Sequence, residues 1–311
     1  MTHKGEPSMS HILVIGSANA DHVMNFEYLP APGQTLKSRS YRLEHGGKGA
    51  NQAVACARLC LPDSRVDFIC HVGQDGIGNE MRNSWLKDGI QADGITQVAN
   101  MSTGTAMIFI AENGENTIGI AAGANAHLSP AELEKHYALF ANAQYLLIQL
   151  ETPTETVSNA LQMAKRLGIT TVLNPAPAAT QELDYLKWVD IITPNETEAE
   201  ALTGIEVKHE EDAKLAAQWL HQQGIATVVI TLGSKGAFIS SAGFTGLIPA
   251  LEVRAIDTVA AGDTFNGALV VGLSEGMSIA AAVGFANAAS AITVTREGAQ
   301  RAIPYRNEVP R

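Results

Sequence analysis

The chain has 311 residues, of which 46% are hydrophobic and 17% charged, and its formal net charge is −11. This length is enough for one large α/β domain or two ordinary domains with a substantial core. The acidic balance argues against a nucleic-acid-binding protein, because such proteins carry a basic surface. The first stretch, MTHKGEPSMS, is too polar for a secretory signal peptide, and we interpret residues 1–10 as a disordered N-terminal extension.

Short apolar runs alternate with helical segments along the rest of the chain. This alternation is typical of a parallel sheet covered by helices, and the nearly continuous apolar runs are those expected of strands buried on both faces. The predicted strands are, in chain order, HILVIGS, VDFICHVG, QYLLIQLE, TTVLNP, VDIITPN, TVVITLG and VRAID. We therefore predict an α/β fold with a mostly parallel central sheet.

Several predicted helices have readable ends. One runs from about Thr154 to Gly168 and another from Asn195 to Gly204, each ending at a glycine that is typical of a helix C-terminus. The segment 209–223 is amphipathic. The apolar stretch 265–294 is interrupted by polar residues and glycines, so we interpret it as two buried helices and not as a membrane span.

Two regions, residues 22–44 and 103–121, break this pattern. The first alternates polar and apolar positions around a Pro-Ala-Pro-Gly turn, and the second is typical of a hairpin with its tip at 112–115. Together they predict a small, mostly antiparallel sheet inserted into the α/β body. Because so small a sheet cannot bury two faces by itself, we expect it to cover a cleft, a second subunit, or both.

Polar residues follow the predicted central strands at the point where each strand ends. In an open α/β sheet, ligands bind beyond the carboxyl ends of the strands, so these residues are candidates for a site. Taken singly, each has a structural alternative: Asn195 could be a helix cap, and Glu151 could lie beside a helix N-terminus because of its dipole. The candidates are Asn19, Asp21, Glu151, Asn195, the segment 233–236 and Asp263.

The glycine-rich segment HGGKGANQA, residues 45–53, is a further candidate. It has neither the Walker P-loop spacing nor a dinucleotide-binding GxGxxG. Gly46 and Gly47 would let the backbone approach a ligand closely, and Lys48 and Asn51 could hold a small hydroxylated molecule. A glycine-rich turn that needs only positive φ angles remains the alternative.

The three cysteines, Cys56, Cys60 and Cys70, show no paired CxxC spacing. We interpret them as free thiols in a reducing cytoplasm in preference to a metal site.

The segment IDTVAAGDTFNGAL places Asp263 where a small-residue turn meets a predicted helix. A carboxylate there could be a capping group. It could also be a catalytic base beside backbone amides that bind a phosphate. The residues alone leave both readings open.

With these motifs in order, the chain resembles the ribokinase-like, phosphofructokinase-B type carbohydrate kinase family from Ile12 to about Pro304. The motifs that carry the resemblance are GSANADHV, GGKGANQA, QLETP, LNPAPA, ITPNETEAEALTG, ITLGSKG and DTVAAGDTFNGAL, of which GGKGANQ and AAGDTFNGAL are the most specific. The resemblance implies a three-layer αβα kinase domain over residues 11–311, with the two irregular regions forming a β-sheet lid that also serves as a homodimer contact.

The resemblance further implies ATP-dependent phosphorylation of D-ribose at its 5-hydroxyl. Asp263 matches the general base, and the backbone amides of Ala260, Ala261 and Gly262 match an anion hole for the transferred phosphoryl group. The residues that match the sugar-binding set are Asn19, Asp21, Gly47, Lys48, Asn51, Glu151 and Asp263. Carboxylates and amides suit a polyol, because each hydroxyl can both donate and accept a hydrogen bond.

Two further residue sets follow from the resemblance. The ATP-binding set is Asn195, Thr231, Leu232, Gly233, Ser234, Lys235, Gly236, Gly262 and Asn287. Asn195 and Glu198 would organise Mg²⁺ through water. The set matching a K⁺ site is Asp257, Val259, Thr293, Arg296, Gly298 and Ala302.

Two positions depart from the family pattern. Asn287 stands where some relatives have histidine, and Ala302 lacks the hydroxyl that family members often carry, which would lower cation affinity if that side chain were a ligand. A kinase for a related sugar such as 2-deoxyribose is one alternative. A non-catalytic sugar or nucleotide sensor on the same fold is another, and an NAD-dependent oxidoreductase is disfavoured by the missing fingerprint.

Overall fold

The computed structural model describes residues 10–178 and 183–310. The extension predicted for residues 1–10 lies, apart from Ser10, outside the described residues. Within the described ranges, no helix has the length and apolar character needed to cross a membrane.

The strands found in the described ranges are β1 His11–Ile15, β2 Asn19–Phe26, β3 Ser40–Gly46, β4 Arg65–Gly73, β5 Ile95–Val98, β6 Gly104–Ala111, β7 Asn116–Ala121, β8 Tyr145–Ile148, β9 Thr170–Leu173, β10 Ile191–Ile192, β11 Thr227–Thr231, β12 Ala237–Ser240 and β13 Thr245–Ile248. The α-helices are α1 Lys48–Leu59, α2 Gly76–Lys87, α3 Pro130–Lys135, α4 Tyr137–Asn142, α5 Thr154–Arg166, α6 Glu196–Thr203, α7 Glu210–Gln222, α8 Ala261–Ser274 and α9 Ile279–Val294. Short 3₁₀ turns lie between them.

The central sheet has nine strands in the order β13-β12-β11-β10-β9-β8-β1-β4-β5. The pairs from β5 to β11 are parallel, and β12 and β13 add antiparallel strands at one edge. Helices α1, α2, α8 and α9 pack on one face and α3 to α7 on the other, each layer with its own apolar cluster. The predicted three-layer fold with a mostly parallel sheet is confirmed.

Strand order also indicates where a ligand would bind. The chain starts at β1, moves outward through β4 and β5, and then returns to β8 on the other side of β1. The loops that follow β1 and β8 therefore separate and leave a crevice, which is where open α/β sheets bind ligands.

Six of the seven predicted central strands are present, and one prediction is wrong. Residues 251–257, including the predicted strand VRAID, form no strand. Ile256 is 68% exposed, and the amides of Ile256 and Asp257 bond to the carbonyl of Val294 at the end of α9. The segment therefore pairs with a helix terminus, and β13 remains the edge of the sheet.

The two irregular regions form a separate four-stranded sheet, β3-β2-β6-β7. Strands β2 and β6 are parallel and the other two pairs are antiparallel, so the sheet is mostly antiparallel as predicted. The strands extend beyond the predicted region 22–44 at both ends, because β2 already begins at Asn19 and β3 continues to Gly46.

Candidate functional site

A cleft of about 440 Å³ lies between the small sheet and the carboxyl ends of the central strands. Predicted site residues from across the chain line it together: Asn19, Asp21, Gly47, Lys48, Asn51, Glu151, Asn195, Glu198, Thr231, Val259, Ala260, Ala261, Gly262 and Asp263. Isoleucines of β6 and β7, among them Ile108 and Ile118, form the apolar wall contributed by the small sheet. The cleft thus has a polar floor and a partly apolar cover.

Asn19 and Asp21 belong to the small sheet and not to a loop after β1. Both lie in β2, where Asp21 pairs with Ala106 of the cleft wall. The side-chain carbonyl of Asn19 accepts a hydrogen bond from the Nδ2 group of Asn125, at 2.8 Å. Two predicted sugar contacts are therefore carried by the element that covers the cleft, so their distance from the floor depends on how this sheet sits.

Glu151 ties the start of α1 to the segment after β1. Its Oε2 atom accepts hydrogen bonds from the Ser17 hydroxyl at 2.5 Å and from the backbone N–H of Lys48 at 3.0 Å. The position beside a helix N-terminus is thus observed. The same carboxylate also lines the cleft, so the two readings of Glu151 are compatible.

The glycines of HGGKGANQA allow two loops to approach each other closely. Gly47 has φ 89° and precedes α1. A Cβ atom on Gly47 would lie 2.8 Å from the Cα atom of Ala18, and one on Gly49 would lie 2.5 Å from the backbone of Gly16 and Ser17. The backbone contact and the positive φ explain these glycines, while Lys48 and Asn51 present their side chains to the cleft.

Gly49→Ala is expected to destabilise the protein by about 1–3 kcal/mol, because the added methyl meets rigid backbone and not a flexible side chain. Urea unfolding measures the change. Gly284→Ala is the matched control: Gly284 lies in α9, and a Cβ atom added there would meet nothing within 4 Å, so alanine should be neutral or slightly stabilising. Equal effects of the two substitutions would contradict the close-approach explanation.

Asp263 is buried near the amino end of α8 and does not cap it. The capping residue is Ala260, which has φ 59°, and no side chain bonds to the first turn at this cap. Instead, the Asp263 carboxylate accepts hydrogen bonds from Asn51 Nδ2 at 2.9 Å and Gln52 Nε2 at 3.0 Å. The capping interpretation is therefore wrong. A non-glycine residue held at positive φ beside this carboxylate is the kind of strain that occurs at functional sites.

Acidic groups crowd the cleft and change its protonation equilibria. Burial, together with Glu151, Glu44 and Asp263, raises the pKa of Asp21 to about 7. Burial also raises the pKa of Asp263, although Lys48 and the amides of Asn51 and Gln52 oppose that shift. For Lys48, burial lowers the pKa but the surrounding carboxylates raise it more, so it stays positively charged and holds the cluster together.

Asn195 and Glu198 form a capping box at the start of α6. The Asn195 side chain accepts from the Glu198 N–H at 2.8 Å, and Glu198 Oε2 accepts from the Asn195 N–H at 2.9 Å. Both residues also line the cleft, so the same two side chains can cap the helix and face a ligand. Burial raises the pKa of Glu198.

The predicted nucleotide residues are only partly brought to this cleft. Thr231 lines it, whereas Leu232, Gly233, Ser234, Lys235 and Gly236 form the turn between β11 and β12 outside its lining. Asn287, in α9, donates to the carbonyls of Ile248 and Pro249, both at 3.1 Å. The carbonyl of Lys235 accepts from the N–H of Ala250, next to Pro249, so the turn and Asn287 contact the same segment.

Several of the residues predicted for K⁺ lie beside the turn 260–262. The Asp257 carboxylate accepts from the amides of Val259 at 3.0 Å and Gly298 at 3.1 Å, which brings their two segments together. Thr293 donates its hydroxyl to Thr264 or to the carbonyl of Ala289, and Ala302 is buried. Arg296 pairs with Glu308.

A monovalent cation is bound by oxygen ligands, and among these residues Asp257 contributes a carboxylate. A fixed positive charge also lies there, because the guanidinium of Arg42 is 3.7 Å from Asp257. Among the described residues there is no group of three or more His, Cys, Asp or Glu side chains arranged to hold a metal ion.

The sequence interpretation missed a set of buried amides in and behind the cleft. Gln52 directly follows Asn51 in GGKGANQA and bonds to Asp263, and Gln300 bonds to Asn51. Asn174, within LNPAPA, lines the cleft. Gln52 could have been noticed as a polar residue directly before the apolar run of α1, but its partner, 211 positions away, could not have been inferred.

Comparison with known proteins gives consistent results. The model of the pfkB family carbohydrate kinases matches residues 9–306. A ribokinase of Haemophilus influenzae is 49% identical over 96% of both chains. A deoxyribokinase of Salmonella typhi is 36% identical over 94% of this chain and 95% of its own length. The structure of Arabidopsis thaliana ribokinase complexed with ribose and ATP has a TM-score of 0.89 at 31% identity, covering 96% of this chain and 97% of that one.

Proposed function

The chain belongs to the pfkB family of carbohydrate kinases, and from that membership we propose that it is an ATP-dependent ribokinase. It transfers the γ-phosphoryl group of ATP to the 5-hydroxyl of D-ribose and releases D-ribose 5-phosphate and ADP. The observation that carries the proposal is the buried carboxylate of Asp263, which faces the residues of the sugar set across one cleft beside a helix N-terminus.

Asp263 is the general base. It accepts the proton of the 5-hydroxyl as that oxygen attacks the γ-phosphorus, and the bond to the leaving phosphate oxygen breaks. The N–H groups of Ala260, Ala261 and Gly262, at the start of α8, stabilise the charge on the transferred group. This division of work suits phosphoryl transfer, in which positioning and electrostatic stabilisation supply most of the catalysis.

The sugar is held by groups from two separate elements. Asn19 and Asp21 of the small sheet bind it from above. Gly47, Lys48, Asn51 and Glu151 bind it from the floor. Because Lys48 is surrounded by carboxylates, it supplies the positive charge that allows Asp263 to ionise in a buried place.

ATP binds along the edge formed by Thr231, the turn 232–236 and Asn287, with its phosphates near Asn195 and Gly262. Asn195 and Glu198 would hold Mg²⁺ through water, and Mg²⁺ bound with ATP would neutralise phosphate charge. The Glu198 carboxylate suits a contact through water, because the capping box sets its orientation before any ligand binds.

K⁺ and a second subunit are further parts of the proposal. K⁺ would be held by Asp257 and the backbone of Val259, together with the loop residues Thr293, Arg296, Gly298 and Ala302. Homodimerisation occurs through the small sheet, whose face turned away from the cleft exposes Tyr41, Leu43 and Met107 by 56%, 45% and 45%. Apolar side chains this exposed on one sheet face favour a covering partner. The free thiols favour a cytoplasmic location.

A substrate panel tests the function. Purified protein with ATP and Mg²⁺ is expected to form ADP with ribose, at a higher kcat/KM than with 2-deoxyribose, because a hydroxyl partner buried in the cleft stays unpaired when that hydroxyl is missing. A higher kcat/KM for 2-deoxyribose would favour the deoxyribose alternative. Sugar binding without any ADP would favour the sensor. The greater identity to a ribokinase than to a deoxyribokinase supports the ribose assignment.

A further inference from the structure

Behind the cleft, buried amides hold both oxygens of the Asp263 carboxylate. Asn51 donates to Oδ2 and Gln52 donates to Oδ1. Gln52 is fully buried and lies outside the cleft lining, as does Gln300. Neither glutamine therefore touches a molecule in the cleft directly.

The orientation of the Gln300 side-chain amide follows from its hydrogen-bond partners. The indole N–H of Trp85 donates to Gln300 Oε1 at 3.0 Å, and an indole nitrogen can only donate. The NH₂ group of Gln300 must then face Asn51, where it donates to Oδ1 at 3.2 Å. Asn51 is left with its own NH₂ group directed at Asp263. A chain of three residues thus runs from Trp85 to the base.

Gln52 is oriented by Gln149, the residue that directly follows β8. Its Oε1 atom accepts from Gln149 Nε2 at 2.6 Å, so its NH₂ group faces away from Gln149. That NH₂ group donates to Asp263 and to Asn174 Oδ1, each at 3.0 Å. Both hydrogens of the amide are used, and the group has no alternative direction that keeps these bonds.

We propose that Gln52 and Gln300 are positioning residues that aim two amide donors at Asp263, keep its carboxylate ionised and fix its direction towards the sugar hydroxyl. The inference rests on the proposed kinase function, in which Asp263 is the base. Hydrogen bonds donated to a carboxylate stabilise its charged form, and this opposes the effect of burial. Loss of either aimed donor should therefore make the base harder to ionise.

Gln52→Met keeps the approximate size of the side chain and removes the donor. We expect kcat to fall by about 10–100-fold, the value of a hydrogen bond to a charged group, with KM for ribose nearly unchanged. The acidic limb of the kcat profile should move up by about one pH unit. Thr171→Val is the control: it removes buried hydrogen bonds at the far end of β9, outside the cleft lining, and should leave the pH profile unchanged.

Gln300 offers a sharper comparison. Gln300→Glu preserves shape and the bond from Trp85 but presents an oxygen to Asn51, which must turn its own oxygen towards Asp263. Gln300→Met loses the Trp85 bond yet forces no such turn. At about pH 9, where the introduced carboxyl is ionised, Gln300→Glu should lower kcat more than Gln300→Met. The reverse order would show a merely structural role and overturn the proposal.

A second readout does not require activity. The carboxyl carbon of Asp263, labelled with ¹³C and assigned by its loss in Asp263→Asn, reports ionisation directly by NMR. Its titration midpoint should rise in Gln52→Met, and an unchanged midpoint would overturn the inference. If the wild type forms no ADP while this midpoint still rises, the proposed function fails and the positioning by Gln52 stands.

Discussion

Asp263→Asn is expected to lower kcat by about 10²–10⁴-fold, the usual contribution of a general base. An amide cannot accept the proton of the attacking hydroxyl, so proton transfer is lost. The substitution is nearly isosteric, and Lys48, Asn51 and the turn 260–262 remain in place. Binding of ribose and of ATP, measured by calorimetry, should therefore be retained.

Asp67→Asn is the matched control for this experiment. Asp67 is also buried, but its carboxylate pairs with His11 and Arg65 at the opposite end of the sheet from the cleft. This variant should lose stability and keep its kcat. If Asp263→Asn retains the wild-type kcat, or if both variants lose activity equally, Asp263 is not the base.

Asp21→Asn is expected to raise KM for ribose by about 10–100-fold, because a carboxylate that accepts sugar hydroxyls is replaced by a neutral group. The same change should stabilise the ligand-free protein at pH 8. Asp21 lies among Glu151, Glu44 and Asp263, so its negative charge is unfavourable until a ligand is bound. The Asp21 carboxylate thus favours ribose binding but lowers the stability of the ligand-free protein.

The contribution of Asp21 to the stability of the folded protein depends on pH. The folded-state pKa of Asp21, about 7, lies above its ordinary value of 3.8. Because its folded-state pKa is raised, Asp21 contributes stability that is fully present below pH 3.8 and is lost as the pH rises through 7. The thermal midpoint of Asp21→Asn should exceed that of the wild type at pH 8, and the gap should shrink as the pH is lowered from 7 towards 4. A gap that does not change with pH would contradict this account.

Local patterns in the sequence were sufficient for most of the fold. Apolar runs such as HILVIGS identify strands because a strand covered on both faces must be apolar throughout, whatever its neighbours are. The prediction of a strand at VRAID was wrong for a physical reason. Two of its backbone amides bond to the end of α9, and nothing local to the segment reveals that partner. The extent of β2 was missed for a related reason, because pairing with β3 and β6 decides where it begins.

The candidate site divides in the same way. The residue types along the chain show which chemical groups are available, and short motifs locate Lys48, Asn51 and Asp263, because glycine-rich turns and helix starts are local features. The bonds of Asp263 to Asn51 and Gln52, and the absence of a cap from its side chain, depend on the fold of the whole chain. The orientation of Asn51 by Gln300 depends on it too. Hydrogen-bond direction and burial depend on partners that lie more than two hundred residues away, and residue spacing along a chain contains no information about such contacts.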